Sequence, residues 1–214
     1  MFVGHLAVAL AAKRAEPRLS LAALVAGAFG LDLLWPVFLL LGVETVVVDP
    51  GNTRFTPLDF QSYPWSHSLA MSVLWGLVAG VLAASMMKRR RVLWLMTAVV
   101  VSHWVLDFVS HRPDLPLWPG GPLEGLGLWN SIAGTIVIEG ALLLTGLSIY
   151  LSATTARDAR GRWALWSFVV FVTAIWISGP FSPPPPSTVA IASVGLLMAV
   201  VFPLWAAWIE RHRV

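Results

Sequence analysis

Six times along this chain an apolar run of about twenty residues recurs, and that spacing constrains the fold more than any other feature. The runs cover roughly residues 19–42, 67–87, 92–111, 131–152, 163–179 and 188–209. Each approaches the ~20 residues that a helix needs to cross a ~30 Å hydrocarbon core. Only 12% of the 214 residues are charged, 57% are hydrophobic, and the mean hydropathy is +0.78. A soluble domain carries roughly twice that charge. The expected fold is therefore an all-α, polytopic transmembrane bundle of about six spanning helices. Residues 1–12 are too short to cross, at ~18 Å as a helix; we read them as a half-spanning or re-entrant helix packed inside the bundle. The charges Lys13 and Arg14 follow this apolar start, the reverse of a secretory leader.

Lysine and arginine set the expected orientation. Lys13, Arg14 and Arg18 precede the first span, Lys88 to Arg91 follow the second, Arg157, Arg160 and Arg162 follow the fourth, and Arg211 and Arg213 follow the sixth. With six spans these clusters share one side, the cytoplasmic one, which places the chain in an inner membrane with its C-terminus in the cytoplasm. The opposite loops hold only Arg54 and Arg112 among basic residues. The basic balance is thus an orientation signal, and no nucleic-acid partner is expected. The tryptophans fit: Trp65, Trp118 and Trp129 at the outer interface, and Trp94, Trp163 and Trp208 at the inner one. With no cysteine, disulfides and thiolate metal sites are excluded.

Seven ionisable residues stand in or beside the apolar runs: His5, Asp32, His67, His103, Asp107, His111 and Glu139. Charged groups at mid-membrane cost ~2.5–3.5 kcal/mol on insertion scales and normally have partners. At 1.5 Å per residue from the outer helix ends, Asp32 lies ~15 Å deep, His103 and Glu139 ~12 Å, and Asp107 ~6 Å. His67 and His111 lie at the rim. His5 joins them only if the N-terminal helix rises from the cytoplasmic side. His103, Asp107 and His111 follow one another at i, i+4 and i+8, projecting from one helix face. Imidazole and carboxylate at that spacing suit a cation; the alternative is a His–Asp hydrogen bond that only ties helices together. Ser66 is the expected N-cap of the second span. No phosphate-binding glycine loop or nucleophile elbow is present. The last two spans carry no His or acid until Glu210, so residues 1–152 are read as the site-bearing bundle and 153–214 as a helix pair without site residues.

The ordered set Gly4-His5, Gly30-Leu31-Asp32, Ser66-His67-Ser68, Ser102-His103 with Asp107, and Leu117-Trp118-Pro119 resembles the membrane-bound metal-dependent hydrolase family (YdjM-like, LexA-regulated inner-membrane proteins). The likeness covers about residues 1–120, and the stretch 125–131 with Glu139 is similar to a subset of such proteins. The chain departs from the family pattern at two points. Leu31-Asp32-Leu33-Leu34-Trp35 stands where the family often has Pro-Asp-x-Asp-His, and Ser62 stands where it often has a further histidine. A two-ion site would then depend on Asp107, His111 and Glu139. The resemblance implies a divalent-metal hydrolase, with zinc favoured by His and carboxylate ligands. His5, Asp32, His103 and Asp107 are the expected ligands, with His67 completing the set or acting as acid/base, His111 as a further ligand, and Glu139 as general base. An outer-leaflet site favours a lipid or lipid-linked ester or phosphoester substrate reached from the surrounding membrane lipids. Two other readings stay open: an ion- or proton-coupled transporter, and a non-catalytic scaffold with a vestigial metal site.

Overall fold

The computed structural model describes residues 1–214 and is an all-α bundle with two small hairpins at one end. In order the elements are α1 (Val3–Ala15), α2 (Leu21–Ala28), α3 (Gly30–Leu40), β1 (Thr45–Val48), β2 (Leu58–Ser62), α4 (Pro64–His67), α5 (Leu69–Met87) and α6 (Arg90–Ser110). There follow β3 (Leu115–Pro116), β4 (Leu123–Glu124), α7 (Ile132–Ala153), α8 (Ala159–Ser178) and α9 (Thr188–Arg211). Five helices, α5 to α9, are long and apolar enough to cross a membrane. The α2–α3 pair makes a sixth crossing only as a broken span, bent by 55°.

That break corrects the expectation of one continuous helix over residues 19–42. Gly27 and Gly30 flank it, and glycine is a weak helix former; the chain turns at Phe29, where φ and ψ are −94° and 10°. The second span differs too. It starts with the single turn α4, breaks at Ser68, and resumes as α5, so Ser68 and not Ser66 is the cap of α5, accepting from Met71 N at 3.3 Å. The other spans begin and end within a few residues of the apolar runs.

The N-terminal helix runs to Ala15, three residues further than its apolar stretch, and it lies inside the bundle. It packs chiefly along α7, with α2 and α6 beside it. The approach to α7 needs a residue without a side chain: a Cβ on Gly146 would come within 2.6 Å of Ala7 Cα. The start of α1 is held by a carboxylate from that same helix, since Glu139 Oε2 accepts from Phe2 N (2.8 Å) and Gly4 N (3.4 Å). A helix begins with free amides and a partial positive charge, and Glu139 answers both.

The core is continuous from Leu6 and Leu24 through Val99 and Leu143 to Phe168 and Phe202. No break in packing marks the boundary read at residues 152/153, because α9 lies directly against α2 and α3. At the Lys/Arg-rich end, buried Glu16 accepts from Arg89 at 3.1 Å and from Arg91 at 2.5 Å, and Lys13 pairs with Glu210 and donates to Leu19 O at 2.8 Å. These contacts join α1, α6 and α9 at one rim. At the other end lie the hairpins β1–β2 and β3–β4.

Candidate metal centre

Four helices aim polar side chains at one point. His5 comes from the first turn of α1 and Asp32 from the first turn of α3. His67 is the last residue of α4, and His103 and Asp107 share a face of α6. His5, His67, His103 and Asp107 are buried, while the Asp32 side chain is 37% exposed. The rings of His5 and His103 stack in parallel, with centroids 3.7 Å apart and planes 4° from parallel.

The ligand atoms converge. His5 Nε2 lies 3.2 Å from Asp107 Oδ1, and His103 Nε2 lies 3.1 Å from Asp107 Oδ2. His67 Nε2 lies 3.5 Å from Asp32 Oδ1 and 3.9 Å from Asp107 Oδ2, and His103 Nε2 is 3.8 Å from Asp32 Oδ1. Two groups result, His5–His103–Asp107 and Asp32–His67–His103, each with its ligand atoms within 4.8 Å of one another. Both are able to hold a metal ion.

The donor set passes a test of fit. Bonds of 2.0–2.1 Å in a tetrahedron place ligand atoms about 3.3 Å apart, close to the separations found here. His5 Nε2 and His103 Nε2 are buried and make no hydrogen bond despite their nearness to Asp107. An unpaired polar atom in such a place is costly, and a cation between ring and carboxylate removes the cost. A positive charge already stands against Asp107, since the Met1 α-ammonium pairs with it.

The surroundings fix which ring nitrogen faces the centre. His103 Nδ1 bonds to Ala28 O at 2.8 Å. Ala28 ends α2, and the break after it frees this carbonyl from the helix ladder. Nδ1 therefore carries the proton and Nε2 presents its lone pair. The same break lets α3 begin with Asp32 in its first turn, so one kink supplies a ligand and orients another. His67 is held by a longer relay. Buried Glu44 accepts from Trp65 N and Ser66 N, both at 2.8 Å, and from Ser66 Oγ at 2.6 Å. With its proton given to Glu44, Ser66 Oγ accepts from His67 Nδ1 at 2.7 Å, and His67 Nε2 is left free toward Asp32 and Asp107. Because His103 has one available nitrogen, the two groups cannot both be filled with it as a ligand.

Two expected site residues stand apart. His111 is outside both groups. α6 ends at Ser110, so His111 is its C-cap, with extended backbone, and leaves the face that His103 and Asp107 share. Its Nδ1 lies 2.9 Å from Asp114 Oδ1 and 3.1 Å from Tyr63 Oη, against the rings of Phe60 and Trp129. Burial holds its imidazole below the ordinary range. Burial and the neighbouring Asp114 carboxylate push the Tyr63 phenol well up. Glu139 is also outside the groups: Oε2 caps α1, while Oε1 is buried without a partner.

No family model, curated protein or solved structure matches the chain. The site has to be read from its own geometry.

Sequence reasoning missed Glu44, Tyr63 and Asp114. Glu44 sits in a polar loop between spans, where an acid is unremarkable; only the returning chain places Ser66 upon it. Asp114, three residues beyond His111, was the more visible signal.

Proposed function

We propose that the chain is a membrane-embedded, metal-dependent hydrolase acting on a lipid or lipid-linked ester or phosphoester. The observation carrying this reading is the convergence of His5, His67, His103, Asp32 and Asp107, with two buried Nε2 atoms that have no other partner. We take zinc as the ion, from the imidazole and carboxylate donors. A bound divalent ion would supply Lewis acidity toward the ester oxygen and acidify water. The ordered motifs also support membership of the membrane-bound metal-dependent hydrolase family.

The chain's own residues have separate tasks in this reading. His103 and Asp107 anchor the ion from the rigid α6. His67 is a ligand, since its one free nitrogen faces Asp32 and Asp107. Asp32 is the partly open member and faces incoming substrate. Glu139 is the proton acceptor through Oε1, its Oε2 being committed to α1. Water adds across the ester: its oxygen bonds to carbon or phosphorus, the ester bond breaks, and the proton taken by Glu139 passes to the leaving alkoxide. The Lys/Arg bias supports a cytoplasmic side for the basic rim and the C-terminus, in a cell with an inner membrane.

The test is zinc-dependent release of fatty acid or phosphomonoester from lipids in proteoliposomes, abolished by chelation and restored by zinc. Metal-free protein that instead conducts cations across liposomes would replace this reading with the carrier.

A further inference from the structure

A cavity of about 280 Å³ lies between the broken span and α9, and Asp32 is its only charged lining residue. One wall comes from Val25, Phe29 and Pro36, the other from Val194, Met198 and Phe202. The walls meet at a close crossing, where a Cβ on Gly195 would fall 2.5 Å from Pro36 Cγ. The two halves of the span meet at a 55° bend, and both pack against α9.

Three observations say what fills it. The lining is apolar along its length, which suits hydrocarbon and rejects a free polar metabolite. On α9 it extends from Ile191 to Pro203, ~18 Å at 1.5 Å per residue. That is close to one leaflet of a ~30 Å core. It also runs the way a lipid lies, from Leu58 in the loop-side hairpin to Phe202 and Pro203 further along α9, and it passes the half-exposed ligand candidate Asp32.

We infer that this groove holds one acyl chain of a lipid from the surrounding leaflet, its headgroup linkage beside Asp32 and its tail along Met198 and Phe202. The link to catalysis rests on the hydrolase reading; the binding does not. α9 thereby becomes the element that selects the chain, although it carries no polar site residue.

The test uses the full chain in nanodiscs of phosphatidylethanolamine and phosphatidylglycerol with a trace of phospholipid bearing a diazirine on one acyl chain. After photolysis, cross-links are mapped by mass spectrometry, and Val137 and Leu144 on the exposed face of α7 serve as the reference for ordinary lipid contact. Cross-links per residue at Val194, Met198 and Phe202 should exceed that reference at least fivefold. Met198→Trp, which fills the groove, and Val194→Trp, at its more exposed edge, should each bring the ratio to about one. Equal labelling of α7 and α9 in the wild type, or an undiminished ratio in both folded variants, overturns the inference. Zinc content read on the same samples separates the two proposals: a groove that labels in protein unable to hold metal supports the chain site and sinks the hydrolase.

Discussion

Replacing Ser66 by alanine tests the relay that aims His67, without touching a ligand. The substitution removes the hydroxyl that donates to Glu44 at 2.6 Å and accepts from His67 Nδ1 at 2.7 Å. Glu44 keeps its bonds from Trp65 N and Ser66 N, so the lost charge-assisted bond should cost about 1.5–3 kcal/mol of stability, toward the lower figure. His67 loses the group that fixes its tautomer. Outer-shell losses of this kind weaken metal binding about 10–100-fold, or ~1.4–2.7 kcal/mol. Glu44→Gln should weaken it at least as much. Its amide would donate to Ser66 Oγ, turn the hydroxyl toward His67 Nδ1, and leave the proton on Nε2, where a ligand lone pair is needed. Zinc affinity measured by competition with a chromophoric chelator, beside a thermal melt of each variant, gives both numbers. Unchanged zinc affinity in folded Ser66→Ala and Glu44→Gln would refute the relay.

The remaining predictions reach other parts of the molecule. His111→Ala should leave metal content unchanged while destabilising the fold by about 1–3 kcal/mol, because Tyr63 and Asp114 lose a buried partner; metal analysis and melting check it. Gly146→Ala should cost about 1–3 kcal/mol by forcing α1 away from α7, and should weaken metal binding with it because α1 carries His5. Glu16 has its carboxyl held below its usual value near 4.5, first by the Arg91 hydrogen bond, then by the Arg18 backbone N–H and the charges of Arg91 and Arg89, with burial opposing them. Its contribution is therefore present above about pH 4.5 and lost as pH falls through the lower folded-state value. The melting-temperature difference between wild type and Glu16→Gln in detergent should shrink over that descent and stay flat from pH 6 to 7.

The spans were legible because membrane crossing depends on run length and charge exclusion, which a sequence displays directly. The break at Phe29 was not, since Leu-Val-Ala-Gly-Ala-Phe-Gly is apolar throughout and two glycines inside an apolar run do not by themselves announce a bend. That matters for the site, because the break frees Ala28 O for His103 and starts α3 with Asp32 in its first turn. His103 and Asp107 were readable as an i, i+4 pair on one face. His111 was misread as their continuation because the helix end lies one residue before it. His5 was conditional on how α1 enters the bundle, and the stacking on His103 is a tertiary fact. Glu139 was visible as a buried acid, yet its bond to the first turn of α1 depends on which helix lies alongside.

Zinc stoichiometry of wild type beside His103→Ala, both purified in zinc-replete buffer and dialysed, tests the buried centre most directly. One equivalent per wild-type chain is expected, since the two ligand groups share a single His103 nitrogen. His103→Ala should hold less than a tenth of that while keeping its helical circular dichroism. A wild-type chain without zinc, or a folded His103→Ala chain with the full equivalent, would contradict the metal centre.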